Sequence, residues 1–459
     1  MTDNKKIPFS INGIIPGLSV KADLGPPRSE SGIGALVYWS DRLWMVTYVS
    51  HKAGTGSGTG LYEIDENLNM QKRPESVVGT YANRMVHSQS NQLIIGPHFI
   101  DADRNVRTVD EFKDHRLTAT MEHLYDPENM IYFLTMEGLM FEVDVNTLKI
   151  KQLCNLVKEL DIKQKAHFKG GHTGHSRVVV ANNTYTEEDF RSVSADGRLA
   201  EWDGDKWTIL ETKAFNEVTG RKNMGGVIFA TGWDSASAIL KVFTKGQWST
   251  YRLPKATHCF DQYWQTEWPR IREVESERFL MDCHGMFYEI SPIAYEGKVW
   301  GVRPISTHLR IIPDFCSFLG FLVLGGNQLT PTGDSSLNAG QCQAGLWFGK
   351  TDDLWNFGKP KGWGGPWREK QVSKGEVSNA YLMTGFEHKV LHLSHDSMEP
   401  VDFAIEIDFF GNSTWKTYDV ISVTARGYVH HEFPTGFSAH WVRVVANDSC
   451  KATAYFVYT

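Results

Sequence analysis

The sequence predicts an all-β protein, a single seven-bladed β-propeller spanning residues 1–459, on three observations. One hairpin signature recurs seven times, the composition favours short strands with tight turns, and helical periodicity is almost absent. The recurring unit is a small residue, three to five residues alternating apolar and polar, and an acidic or turn position, often with Trp or Leu before the next strand. Copies begin at Gly60 (GLYEIDENLNMQ), Gly138 (GLMFEVDVNTLKI), Gly197 (GRLAEWDGDKWTIL), Ser237 (SAILKVFTKGQWSTYRL), Gly285 (GMFYEISP), Gly345 (GLWFGKTDDLWNFG) and Ala404 (AIEIDFFGNSTWKTYDVI). Spacings of this size with strand periodicity suit blades of four short antiparallel strands, the longer intervals carrying insertions. In the first copy, alternation puts Leu61, Glu63 and Asp65 on one face and Tyr62 and Ile64 on the other. A pair of β-sandwiches would share the short strands but gives no reason for seven copies of one hairpin.

The 41 Gly, 15 Trp, 16 Tyr and 25 Phe agree with this reading, and the aromatics also offer faces for flat ligands such as sugar rings. Only residues 153–164 have helical spacing, as an insertion between blades. Closure of the ring is expected from pairing of the C-terminal run 441–458 with a strand near residues 35–39. A net charge of −7 without a run of like charges excludes the basic stripe of a nucleic-acid or membrane-surface binder. No apolar stretch approaches 18 residues, so no membrane span is expected. The six cysteines are scattered without a C-x-x-C pair and read as buried thiols. MTDNKK lacks the apolar core of a signal peptide; it suits a cytosolic start or a chain begun after signal cleavage.

The 17 histidines fall into clusters: His87 with His98, His115 with His123, His167 with His172 and His175, and His258 with His284. Loops of successive blades converge on a propeller axis, so such clusters can meet in space. His51 stands apart, before a loop in which Gly54, Gly56, Gly58 and Gly60 permit close backbone approach by a ligand. The loop lacks the GxxxxGK[ST] order of a phosphate loop. Arg84, Arg116, Arg177, Arg270 and Arg272 accompany the histidines, and guanidinium suits bidentate capture of a carboxylate, so an acidic substrate is expected. For Arg270 and Arg272, beside Glu267 and Glu273, an inter-blade ion pair is the competing reading. His258 with Cys259 or Asp261, and Asp282, Cys283 and His284, offer mixed metal ligands in no tight zinc spacing. A calcium ion on the axis, held by backbone carbonyls, would leave little trace in the sequence.

NRMVHSQSNQLIIGPHFID, HRLTATMEHLYDPEN, KGGHTGHSRVVVANN, GWDSASAILKV, WSTYRLPKATH, TEWPRIREVESERFLMDCHGMFYE and GLWFGKTDDLWNFGKPKGWGGPW resemble the seven-bladed propeller enzymes that cleave L-rhamnose linked α-1,4 to D-glucuronic acid, relatives of the ulvan lyases. The resemblance spans nearly the whole chain. It implies an exported, periplasmic or secreted, monomeric enzyme that needs no cofactor and trims rhamnose caps from acidic plant polysaccharide, the arabinogalactans. In hydrolytic relatives a histidine at the YVSHKAGTG position drives release of rhamnose; here that is His51. In lyase-like relatives a base takes the C5 proton of the uronate while Arg or His neutralises its carboxylate, and the O4 sugar leaves. The residues matching that site are His98 and His123 for proton transfer and Arg84, His87, His167, His172 and Arg177 for substrate binding, with the motif positions on one propeller face. Many lyase relatives carry Gly-Gln where this chain has Gly174-His175. A non-catalytic glycan-binding propeller is the reading from another class.

Overall fold

The computed structural model describes residues 13–20, 30–49, 60–77, 79–184, 196–223, 225–256, 268–294, 298–299, 301–329 and 344–459. Within them the repeat becomes a series of four-stranded antiparallel sheets in which chain neighbours are also spatial neighbours. The first sheet is Glu30–Trp39, Arg42–Val49, Leu61–Ile64 and Met70–Lys72, with Asn327–Leu329 added as a fifth strand beside Glu30–Trp39; the second is Arg84–His87, Gln92–Ile95, His98–Ile100 and Val106–Thr108. The third is Leu117–Glu122, Met130–Thr135, Leu139–Asp144 and Ile150–Asn155, and the fourth Phe168–Gly174, Arg177–Asn182, Arg198–Trp202 and Trp207–Glu211. The fifth is Ala214–Gly220, Ile228–Trp233, Ala238–Thr244 and Gln247–Leu253, and the sixth Arg270–Glu275, Arg278–Cys283, Met286–Ile290 and Arg303–Thr307. In the seventh, Phe315–Phe318, Phe321–Gly325 and Ala344–Gly349 take the N-terminal strand Gly13–Val20 as their outer member. Consecutive meanders whose first strands surround one cavity form a β-propeller.

Six of the seven sequence copies are the third strand of a meander. Alternation works there as expected: Leu61 packs in one apolar cluster, while Tyr62 and Ile64 pack in another on the opposite face. The second sheet has a third strand without a predicted copy, because Pro97 precedes only three paired residues, His98–Ile100. The copy at Ala404 lies elsewhere. Its strand, Val401–Asp408, sits between Lys416–Val423 and Trp441–Ala446, in a sheet that continues the fifth meander through parallel pairing of Tyr251 with Ala380 and Arg252 with Tyr381. A further sheet, ordered Gly362–Val372, Cys450–Tyr458, Lys389–His395 and Tyr428–Glu432, shares the largest apolar cluster with it and with the fifth and sixth sheets.

Two other expectations are corrected. Strands in 441–458 pair within the C-terminal sheets, not with residues 35–39; the N-terminal strand instead joins Ala344–Gly349, and Glu30–Gly32 pairs with Asn327–Leu329. The helix expected over 153–164 shrinks to Leu156–Glu159, capped by the Asn155 side chain accepting from Val157 N–H at 3.0 Å, because residues up to Asn155 are claimed by pairing with Leu139 and Met140. No helix of the described residues is long and apolar enough to cross a membrane.

Candidate functional site: a cationic channel

The first strands of the second to sixth sheets enclose a cavity of 380 Å³, with Arg84, Thr118, Lys169, Glu217 and Arg270 each near the start or middle of its strand. Close approach of these strands has a cause in glycine. A Cβ on Gly170 would lie 2.7 Å from the Asn216 carbonyl oxygen, and one on Gly171 2.5 Å from the Met121 sulfur. The glycine pair that the sequence offers as a ligand approach is thus also needed for packing between sheets.

Buried ions tie the wall together across sheets. Asp314, fully buried just before the seventh sheet, accepts from Arg84 Nε at 2.7 Å, Arg272 Nε at 2.8 Å and Leu36 N–H at 2.7 Å. Glu217 accepts from Arg272 Nη1 at 2.5 Å and Arg270 Nη1 at 3.3 Å. Arg270 and Arg272 are therefore inter-sheet ion-pair residues, as the competing reading expected, with Glu217 and Asp314 as partners among the described residues, while Glu273 pairs with Arg221. Burial pushes the Asp314 carboxyl up, yet Arg272, Arg84 and Arg270 outweigh it and hold the group below the usual aspartate range. Burial likewise lowers the Arg270 pKa. The Trp268 ring carries Lys169 at 4.5 Å and Arg270 at 5.2 Å, and Arg270 Nε is buried without a hydrogen-bond partner. Around this stretch four cations, Arg84, Lys169, Arg270 and Arg272, face two carboxylates, Glu217 and Asp314. Such a wall does not fit the calcium ion expected on the axis: the carboxylates are committed to guanidinium groups, and their surplus charge repels a dication. Among the described residues no group of three or more His, Cys, Asp or Glu could hold a metal.

His172 also lines the channel, its ring seated where a Cβ on Gly220 would come within 2.5 Å of Nε2. Its surroundings desolvate it and push the imidazole down to about 4, with Lys222 and His175 adding and Glu122 opposing, so it is neutral at pH 7. Lys222 pairs with Glu122 at 2.6 Å.

Of the sequence-predicted residues, the channel brings together Arg84, His172, Arg270 and Arg272. The other described ones lie outside its lining. His98 is fully buried, hydrogen-bonded through Nδ1 to Thr108 Oγ1 at 2.8 Å, and pushed down to about 3 by burial. His123 Nδ1 accepts from the N–H groups of Tyr125 and Asp126, which leaves Nε2 to donate to Glu142 at 3.1 Å. His87 bridges Ser90 Oγ and the Pro127 carbonyl oxygen, both at 2.7 Å. His167 Nδ1 meets Asn183 Oδ1 at 2.6 Å. Arg177 pairs with Glu201 at 2.8 Å and lies over Phe243. His175 occupies the two-residue turn before Arg177 and contacts the Gly226 carbonyl oxygen.

Strand direction sorts these residues further. The parallel bridge Tyr81 to Leu117 aligns the starts of the first strands of the second and third sheets, and Thr173 Oγ1, donating to the Glu122 carbonyl oxygen at 2.7 Å, aligns the ends of those of the third and fourth. His98 and His167 lie at the edge where first strands begin; His87, His123, His172 and Arg177 lie near the edge where they end. The motif residues expected on one face are split between two. His51, His258, Cys259, Asp261 and Gly54 to Gly58 lie outside the described residues.

Lys169, Glu217, Trp268 and Asp314 were not singled out from the sequence. The available signal was charge at corresponding places of successive first strands, one sheet apart, in otherwise apolar surroundings.

Neither a protein-family model nor a curated protein sequence matches this chain. Among solved structures, the chain is similar to the Cps50 (Swd1) β-propeller domain of Myceliophteria thermophila, at 10% identity and TM-score 0.42 over 69% of this chain and 96% of that one. It is also similar to a chain of an S. cerevisiae complex of dbp5 with nup159, gle1, IP6 and ADP, at 10% identity and TM-score 0.36 over 73% and 95%.

Proposed function

We propose that the chain is one domain built on a closed seven-bladed propeller, and that it is an exported enzyme releasing terminal L-rhamnose from α-1,4-linked D-glucuronate in acidic arabinogalactan. Closure draws support from the N-terminal strand that completes the seventh sheet. The observation that carries the substrate class is the excess of guanidinium and ammonium groups over carboxylates in the channel, with one buried guanidinium N–H, Arg270 Nε, left for an acceptor. A uronate carboxylate answers both features. In the hydrolytic reading, His51 protonates the glycosidic oxygen, the bond to rhamnose C1 breaks, and water supplies the new hydroxyl. Val49 ends its strand, two residues earlier, at the edge where the first strands begin, which is also the edge of Arg84 and Arg270.

One observation favours elimination as a second reading: His172, neutral at pH 7, shares the channel with Arg84, so a base and a carboxylate partner are both at hand. Product analysis on rhamnose-capped arabinogalactan separates the two. Hydrolysis leaves saturated glucuronate, whereas elimination leaves a UV-absorbing 4,5-unsaturated uronate. His51→Ala is expected to abolish rhamnose release; full release by that variant, with loss in His172→Ala, would replace the first reading by the second. Tight glycan binding with no sugar released would make the protein a lectin-like propeller instead.

A further inference from the structure

A second cavity, of 470 Å³, lies where the sixth sheet meets the C-terminal sheets. Glu277, Arg278, Glu289, Ser291 and Arg303 come from the sixth sheet and its connections, and Thr384 and His440 from the C-terminal side. The junction is held firmly. Gly385, at φ +89°, lets the C-terminal turn close on Pro304, whose Cγ would lie 2.5 Å from any added Cβ, and Lys298 Nζ donates to the Asn412 carbonyl oxygen at 2.9 Å.

The lining is balanced where the channel is not: two guanidinium groups face two carboxylates, and the pair Arg278 and Glu289 is loose at 4.0 Å. Among the described residues Arg303 makes no ion pair; it lies over the Trp355 ring at 4.9 Å, and that indole is 43% exposed. His440 Nε2 is buried without a hydrogen-bond partner, and burial lowers the ring's pKa, against the opposing charge of Asp408, so the imidazole is neutral. Zero net charge disfavours a free anion or cation. Planar donors and acceptors side by side, hydroxyls from Ser291 and Thr384, an orphan imidazole nitrogen and an exposed indole against Arg303 together suit a ligand with paired hydroxyls and an apolar C–H face.

We infer that this junction cavity is a second carbohydrate-binding site, taking neutral sugar residues of the same polysaccharide whose acidic end the channel receives; the identity of that polysaccharide rests on the proposed function. Two sites on one chain raise the effective concentration of polymer at the channel without touching the bond that breaks.

The test uses the full chain, with Arg303→Ala and Glu289→Gln as variants. Calorimetry with arabinogalactan oligosaccharide stripped of rhamnose and uronate should show binding to the wild type, weakened about tenfold or more in either variant. The KM for rhamnose-capped polymer should rise severalfold, while turnover of the rhamnosyl-glucuronate disaccharide and the thermal midpoint stay unchanged. Equal oligosaccharide affinity in wild type and variants, or no binding by the wild type, overturns the site. A wild type that releases no rhamnose would sink the proposed activity alone, since the calorimetric comparison still decides the cavity.

Discussion

The seam around the channel and the seam between the propeller sheets and the C-terminal sheets join similar elements by opposite means. The channel seam is ionic: Asp314 and Glu217 clasp three arginines from two other sheets. The C-terminal seam is apolar, with Tyr251 against Trp441 at 4.8 Å and Tyr381, Phe386, Phe456 and Tyr458 packed ring on ring. Apolar burial stabilises without specifying direction, whereas a buried ion pair adds little net stability but penalises every arrangement that leaves a charge unpaired. The contrast teaches where an anion can bind: the ionic seam leaves surplus cationic groups facing its opening, whereas the cavity beside the C-terminal seam is lined by charges that balance.

Breaking the apolar seam should have the largest effect. Trp441→Ala removes a buried ring from the largest cluster and should cost about 4 kcal/mol, read as a lower denaturant midpoint in chemical unfolding. Asp314→Asn should follow at about 3 kcal/mol, since Arg84 and Arg272 would keep their charges in a buried place without their partner. If Asp314→Asn proved neutral while Trp441→Ala did not, the ionic seam would have no structural weight.

Acid separates the seams next. His98 and His172 have folded pKa values of about 3 and about 4, below the ordinary histidine value of about 6.5, so the unfolded chain binds more protons in that window. Stability should therefore fall as the pH drops from about 6.5 toward 4. Asp314 and Asp234 are depressed, burial being outweighed by their arginine and lysine neighbours. Their contribution is present above the ordinary aspartate value of about 3.9 and is lost as pH falls through the lower folded values. Thermal midpoints recorded across pH should show both descents, and His98→Asn should flatten the first. The smallest effect belongs to Lys222→Ala: its partly exposed pair with Glu122 should be worth under about 1 kcal/mol, and a larger loss would mean the channel edge is tighter than its exposure suggests.

How far the sequence could be read depends on the range of the interaction behind each signal. Alternation over Leu61 to Ile64 is local, and it located third strands in six sheets. The same alternation at Ala404 was equally sound as a strand, but strand order is set by partners far along the chain, and Val401–Asp408 found Trp441–Ala446 rather than a meander. Among site residues, Arg84 and His172 were legible because their chemistry and their position on first strands coincide. His98 and His123 drew attention by residue type alone, and their hydrogen bonds tie them to Thr108 and Glu142.

By itself, then, the sequence determined the all-β class and the hairpin repeat, because periodicity and turn residues are properties of short segments. The tertiary structure alone decided that Asp314 would meet Arg84 across 230 residues, that the motif histidines would divide between two edges, and that the last hundred residues would build sheets of their own order. Those outcomes follow from which strand edges and which buried charges found partners, and no short window of sequence contains both members of such a pair.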